Sequence, residues 1–338
     1  MSLLYSEDEQ LLADSVADWV KAEHPVSRFR ALRDARQTWD PELWTELVEL
    51  GWPAIGLTED AGGMGLMARC IISGALGSSL VSTPIHSVWS ACDLDPGFDP
   101  TSGQVHPLAW EESHTRGDFR RIQATVENGR LTGHKRAVLD GSAASRWLVA
   151  AKHGDTMGVF SVDAEHAQRT TLTRVDRRDA VNVRFTAAPC TQVTDAAGLA
   201  RALDHRTLAV SAEMLGAAAA AFQMTLAYLK ERKQFGVAIG SFQALQHRAV
   251  DLFIALELTR SCVLAAAREP TPQRISHAKA QASDTYRLVV NEAVQFYGGI
   301  GMTDEHDIGL YMKHAVVTSR TCGTADFHRQ RWASLGGY

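Results

Sequence analysis

The spacing of apolar residues changes period twice along this chain, which requires helix-built and strand-built regions in one molecule. Up to about residue 104 the spacing is helical. SEDEQ from Ser6 opens like a capping box, and Leu11, Leu12, Val16 and Trp19 recur at helical intervals. A second helix is predicted after Asp40-Pro41, with Leu43, Trp44, Leu47 and Leu50 on one face. GWPAIGLTEDAGGMG, Gly51 to Gly65, is rich in breakers and reads as a loop. Helical spacing returns over 66–91, and Asp93 to Gly103 reads as a linker.

From about residue 105 the pattern shortens. RLTGHKRAVLDG (Arg130 to Gly141), SRWLVAAK (Ser145 to Lys152), MGVFSV (Met157 to Val162) and NVRFTA (Asn182 to Ala187) are strand-like runs divided by Gly, Asp and Ser turns. They predict a small antiparallel β domain. At Leu203 helical spacing resumes, with one stripe through Leu245, Ala249, Leu252 and Leu256 and another through Ile275, Ala278, Ala282, Val289, Ala293 and Phe296. Long amphipathic helices with short links predict a bundle. The expected class is α+β multidomain: a helical N-terminal domain over 1–104, a central antiparallel β domain over 105–200 and a C-terminal helical bundle over 201–338.

Composition narrows the chemistry. A chain of 338 residues with 45% hydrophobic residues exceeds one ordinary core. Its formal net charge of -5 argues against a nucleic-acid binder, which needs clustered excess Lys and Arg to replace counterions. Cys70, Cys92, Cys190, Cys262 and Cys322 form no CxxC pair, so neither a disulfide framework nor a zinc site is expected. His247, His306 and His314 lack metal-ligand spacing and read as surface or capping residues. The opening MSLLYSEDEQ lacks the basic start and apolar run of a secretory signal, so a cytoplasmic setting is expected. The run from Leu208 to Leu229 is the best membrane candidate. Ala contributes little transfer energy, however, and Glu213 and Gln223 interrupt the run, so a buried, closely packed helix is expected and no membrane span.

Two C-terminal segments are specific: RKQFGVAIGSFQALQHRAVDL, Arg232 to Leu252, and QFYGGIGMTDEHDIGLYMKHA, Gln295 to Ala315. Both resemble the signatures of the acyl-CoA dehydrogenase family, of the form RxxFGxxxxxxQ and QxxGGxGxxxE, and they occur in the family's order. LGWPAIGLTEDAGGMG likewise resembles the family's LGWxGLxxPEExGGxG loop. The resemblance implies the acyl-CoA dehydrogenase fold, FAD as cofactor, an acyl-CoA substrate and an electron-transfer flavoprotein or similar acceptor, within lipid metabolism. It assigns Arg232 to the pyrophosphate, where a planar fork suits phosphate oxygens, Phe235 to packing on the cofactor, and Gln243 and Gln295 to polar contacts. Gly298 and Gly299 would let backbone approach the dinucleotide. In family dimers these groups reach across to the neighbour's FAD.

The chain also departs from the family. Most members carry the catalytic carboxylate in an EGT motif, which removes the α-proton while the β-hydrogen leaves as hydride to the flavin. Here the motif reads Cys322-Gly323-Thr324, which keeps Thr324 as a cofactor contact and loses the base. Other branches place a Glu beside an Arg on the preceding helix, and those positions hold Arg206 and Thr207. A neutral thiol is a poor base for a carbon acid, so Cys322 reads as a packing residue. The flavin-contacting strand KxWITNG appears as Lys135 to Gly141, with Ala137 and Leu139 in place of the ring-covering Trp and the hydroxyl-bearing Thr. The TEPGxGSD loop appears as Trp110-Glu111-Glu112-Ser113 without its glycines.

What survives is the set a chain lends to its neighbour, and what is lost serves its own flavin and catalysis. The resemblance therefore implies the short, base-less subunit of a heteromeric acyl-CoA dehydrogenase, paired with a complete chain as α2β2, on bulky thioesters such as steroid side-chain CoA. Two alternatives stay open. One is a self-sufficient homomer with an unusual base, for which Glu213 is a candidate beside its plainer reading as a buried paired carboxylate. The other is a flavin-free structural partner of the same fold.

Overall fold

A computed structural model of the chain describes residues 3–58 and 62–338; Glu59, Asp60 and Ala61 of the Gly51–Gly65 segment lie outside the described residues. First come α1 (Glu7–Glu23), α2 (Val26–Asp34), α3 (Pro41–Glu49), α4 (Trp52–Ile55), α5 (Gly65–Ser78) and α6 (Ile85–Leu94). Then come β1 (Leu108–Ala109), β2 (Thr125–Glu127), β3 (Arg130–Leu139), β4 (Arg146–His153), β5 (Thr156–Asp163), β6 (Ala167–Thr171), β7 (Ala180–Pro189) and β8 (Thr191–Asp195). The rest is α7 (Ala196–Glu231), β9 (Lys233–Gln234), β10 (Val237–Ala238), α8 (Gln243–Arg268), α9 (Pro272–Tyr297), α10 (Ile308–Thr318) and α11 (Ala325–Leu335). The helix–sheet–helix order agrees with the expected α+β class.

Local chemistry explains the helix ends. Ser6 and Glu9 form the expected capping box of α1, and the Asp40 side chain accepts from Leu43 N–H at the start of α3. Two apolar residues read into the core face stay outside: Leu11 is 68% exposed and Leu50 is 44% exposed. The segment read as a loop contains the short α4, which Pro53 starts without loss because the first helical N–H groups need no partner.

The chain divides into two compact units, interleaved in sequence. One comprises Ala31–Leu66 and Ser82–Arg206, and its centre is the sheet, ordered β6-β7-β3-β2-β4-β5-β8 with β1 beside β4. The pairings are antiparallel except that β1 and β2 run parallel to β4. Trp147, Val149, Phe160, Val183 and Phe185 lie in its core. Among them β3 buries Lys135, whose ammonium lies 2.7 Å from Glu112 Oε1, while the Glu112 carboxylate also accepts from Gln123 and Ala124 N–H. Burial pulls Lys135 down to about 8 against the attraction of Glu112. This pair ties the segment after β1 to β3. Glu112→Ala leaves the ammonium buried without its counter-charge and is expected to cost about 3 to 5 kcal/mol. Urea unfolding checks this: the single variant should lose midpoint, and Glu112→Leu with Lys135→Met should recover most of it.

The other unit gathers Met67–Val81, Thr207–Tyr338 and the segment ending at Arg30. Its helices pack around Met214, Phe222, Leu252, Tyr286, Val289 and Phe296. Helix α7 is long and apolar enough to span a membrane, yet 67% of its most apolar window is buried inside the protein. The reason is an approach of α5 to α7 without side chains between them. A Cβ at Gly216 would stand 1.9 Å from Gly74 O, and one at Gly77 would stand 2.2 Å from Glu213 O. Alanine in a helix interior normally gains about 1 kcal/mol over glycine. Here Gly216→Ala should instead destabilise by about 1 to 3 kcal/mol through overpacking, and a thermal scan giving an unchanged or raised midpoint would contradict the contact.

Candidate functional site

Arg232 follows directly on α7. Its N–H donates to Tyr228 O at 2.8 Å and its carbonyl accepts from Ile239 N–H at 2.8 Å, so the residue closes a helix rather than opening one. The guanidinium is exposed, with no hydrogen bond or ion pair among the described residues. Phe235 and Gly236 then make the two-residue turn between β9 and β10, both at positive φ, 53° and 80°. The same turn geometry joins β2 to β3 through Asn128 and Gly129, residues suited to it. Phenylalanine is not, since a bulky side chain at positive φ carries strain of about 1 kcal/mol or more. Phe235 is nevertheless 91% exposed, with one edge-on contact to Phe242 at 6.1 Å between ring centroids. No burial within the chain offsets its strain.

Several aromatic and charged contacts bring the motif residues together at one end of this helical unit. Tyr228, in the last turns of α7, packs on Tyr297 at 4.5 Å, directly before Gly298. Arg248 on α8 donates to Glu292 on α9 at 2.7 Å and lies 4.7 Å over the Phe296 ring. Arg232, Phe235, Gln243, Gln295, Gly298 and Gly299 thus cluster where α7 ends, α8 begins and α9 ends, all exposed. Gly298 caps α9 at φ 63°, a conformation that favours glycine. Gly299 has neither a positive φ nor any atom within 4 Å of an added Cβ. Nothing among the described residues requires glycine there, because an added Cβ would meet open space.

Thr324 stands apart from that cluster. It caps α11 with its own hydroxyl, accepting from Phe327 N–H, and adjoins Gly323, whose carbonyl accepts from Lys279 near the start of α9. From Lys279 to Gln295 is roughly 24 Å along α9 at about 1.5 Å per residue. The loop of Cys322 is held tightly: Lys279, fully buried, donates to Thr318 O, Gly323 O and Ser283 Oγ, each at 3.1 Å. His328 lies 2.9 Å from Cys322 O. Burial, with Lys279 adding to it, pushes the His328 imidazole down to about 3, so it stays neutral. Cys322 itself is buried at φ 58°. Lys279 and His328 were not singled out by sequence; the signal was a lysine in the apolar stripe between Ile275 and Ala282.

The remaining candidates also have places. Glu213 is buried with its Oε1 3.2 Å from His314 Nε2, and the other ring nitrogen of His314 is 3.0 Å from Tyr286 Oη. Glu213 is therefore a paired core carboxylate. His314 departs from its expected surface or capping role, because it faces the core from α10 beside Leu310 and Tyr311. His306 does cap, accepting from Ile308 N–H, and His247 is exposed. In the sheet unit, β3 breaks register between Lys135 and Val138. There Ala137 sits exposed at φ 51°, its N–H donating to Asn182 Oδ1 at 3.1 Å, and Leu139 is half-buried. A short methyl on a bulge offers no ring-covering surface. No group of three or more His, Cys, Asp or Glu suited to a metal occurs among the described residues.

Residues 6–93 match the family model described as the acyl-CoA dehydrogenase N-terminal domain, and residues 198–334 match the C-terminal domain of the same family. The chain is 31% identical over 321 residues to the acyl-CoA dehydrogenase IpdE2 of Mycolicibacterium smegmatis, covering 94% of this chain and 95% of that one. Among solved structures, a variant of the steroid ACAD Tcur3481-Tcur3483 superposes with a TM-score of 0.88 at 28% identity, covering 98% of both chains. The ChsE4-ChsE5 complex from Mycobacterium tuberculosis gives a TM-score of 0.89 at 25% identity, covering 99% of this chain and 98% of that one. The chain belongs to the acyl-CoA dehydrogenase family, a family of FAD-dependent oxidoreductases.

Proposed function

We propose that this chain is the half-site subunit of a heteromeric acyl-CoA dehydrogenase and lends its bundle-end residues to the FAD of a complete partner chain. The observation that carries the reading is Phe235: a strained, 91% exposed aromatic beside an unpaired Arg232 and a Gly299 that the fold does not need. Those residues fit a flavin dinucleotide, with Arg232 on the pyrophosphate, Phe235 against an apolar face, and Gln243 and Gln295 as polar contacts. The bulge at Ala137 does not fit the ring of a flavin held by this chain itself. When bound, FAD accepts the β-hydrogen of the acyl thioester as hydride. The α-proton needs a carboxylate, and since Cys322, Arg206 and Thr207 supply none, the partner supplies it.

A partner chain also accounts for an apolar face next to the lent residues. Val250, Phe253, Ile254 and Leu258 stand 50% to 57% exposed at helical spacing on α8, and Leu288 on α9 is 45% exposed. Solitary exposed apolar residues are ordinary, but a stripe of this kind is covered in an assembly. The relatives reported as a steroid ACAD and as a two-protein complex make a bulky acyl-CoA and a hetero-oligomer, two copies of each chain, part of the proposal. So are an electron-transfer flavoprotein as acceptor, a cytoplasmic setting consistent with five cysteines outside any disulfide, Thr324 as a separate cofactor contact, and domain limits at 104 and 200.

Three measurements test this. Expressed alone, the chain should retain little FAD by its visible spectrum, while co-expression with a complete partner restores about one FAD per pair. In that complex Arg232→Ala should weaken FAD by about one to two decades, the worth of a charge-assisted phosphate contact. A yellow homomer with one tightly held FAD per chain defeats the proposal. Cys322→Ala should leave steady-state turnover of the complex within about threefold, against the two to four decades lost on removing a positioned base. A collapse at unchanged FAD content moves catalysis onto this chain.

A further inference from the structure

Gly298 and Gly299 raise a problem of their own: paired glycines have wide backbone freedom, yet a surface lent to a cofactor needs one shape. After α9 the chain makes a 3-10 turn over Gly298–Met302 and enters α10 at Ile308. Between these points it closes on itself. The His306 ring lies 4.0 Å from the Tyr297 ring, centroid to centroid, and Tyr297 packs in turn at 4.5 Å on Tyr228 of α7. Tyr297 is buried and directly precedes Gly298, so the imidazole rests on the residue from which the glycine pair departs. The same imidazole holds the start of α10, its Nδ1 accepting from Ile308 N–H at 3.1 Å. One ring thus joins both ends of the loop. Beside it, Arg30 of α2 donates to Asp307 Oδ1 and to Asp304 O, each at 2.6 Å.

The ring can do this only while Nδ1 keeps its lone pair. A proton there would set an N–H against the Ile308 N–H and break the cap. Burial, with Arg30 adding to it, holds His306 below its ordinary value of about 6.5 against the pull of Asp307. Burial also pushes the Tyr297 phenol up to about 12, so it stays neutral beside the imidazole. The other charges around the ring are engaged or outside it: Asp307 is paired with Arg30, Lys313 of α10 donates to Asp304 at 3.3 Å, and Glu305 is exposed. The Arg30 contacts do not involve the imidazole, so a proton on the ring re-sets the loop without freeing it.

We infer that His306 is a positioning residue of the lent surface: its neutral imidazole, seated on Tyr297 and capping α10, sets the backbone path through Gly298 and Gly299. The inference rests on the proposed role of this bundle end as a lent FAD surface. His306 acts through Tyr297 and the loop, not by touching the cofactor. Since the neutral ring is the one that fits, the path is fully set above about pH 6.5 and is lost as pH falls below it, and FAD is held less tightly there.

Two readouts separate the parts of this. Tyr297-Gly298 is the single Tyr-Gly step in the sequence, so the full-length chain labelled at the tyrosine carbonyl carbon and the glycine nitrogen gives one coupled NMR amide signal. That signal should move with the midpoint of the His306 ring carbons between about pH 5 and 7.5, and should stay still in His306→Phe, which keeps a ring but has nothing to protonate. In the complex with a complete partner chain, FAD affinity should fall about tenfold from about pH 7.5 to about 5.5, while His306→Phe stays near the acid level throughout. His306→Asn, whose side-chain carbonyl can still accept from an N–H two residues on, serves if the phenylalanine variant fails to fold, and should flatten both curves as well. A Gly298 signal that ignores the His306 titration, or still titrates in the variants, overturns the inference whatever the complex does. So does a pH fall in FAD affinity that the variants retain. Should Arg232→Ala leave FAD affinity unchanged while the Gly298 signal follows His306, the half-site reading fails and the positioning of the glycine pair stands.

Discussion

The contact of α5 with α7 through Gly74, Gly77 and Gly216 is the constraint on which the helical unit rests. Because backbone meets backbone there, α7 has no freedom to slide, and its end at Glu231 becomes a fixed point. The hairpin carrying Phe235 and the start of α8 are placed from that point. Ala217, Ala218 and Ala221 follow from the same contact, being buried positions close to the glycine approach. The apolar run that mimics a membrane span is the cost of bringing two helices this close.

Retention and loss are distributed unevenly over the chain. The loop of Cys322 keeps a buried lysine and a neutral histidine that hold its backbone, although the carboxylate is gone. Its shape is needed by α10 and α11 whatever sits at position 322, so the frame outlives the chemistry. The sheet unit shows the same pattern: Lys135 and Glu112 anchor the segment after β1, while the bulge at Ala137 presents no surface that would cover a ring. Fold-bearing interactions persist where reaction-bearing ones have lapsed.

Much of this was legible in the sequence because long periodic segments and spaced motifs are local signals. The stripes on α8 and α9 fall where their periodicity puts them, and the Arg232 and Gln295 motifs meet at one end of the bundle. Strands of two or three residues such as β1 and β2 are too short to alternate, so they escaped notice. Nor does any pattern distinguish Phe235 in a left-handed turn from a core phenylalanine, since only the backbone shows the strain. His314 and Lys279 were hidden for another reason: a polar residue in an apolar stripe is buried only if partners from other helices reach it, and those partners lie far along the chain.

The exposed turn at Phe235 and the stripe on α8 also bear on how much of this chain a cell can hold. Both surfaces are apolar, adjacent and open in the single chain, so copies without a partner present the kind of surface that chaperones and proteases recognise. On the proposed pairing with a complete chain, supply of the two chains, rather than their affinity, then sets the yield of enzyme. A surplus of this one becomes a burden on quality control, not a reserve.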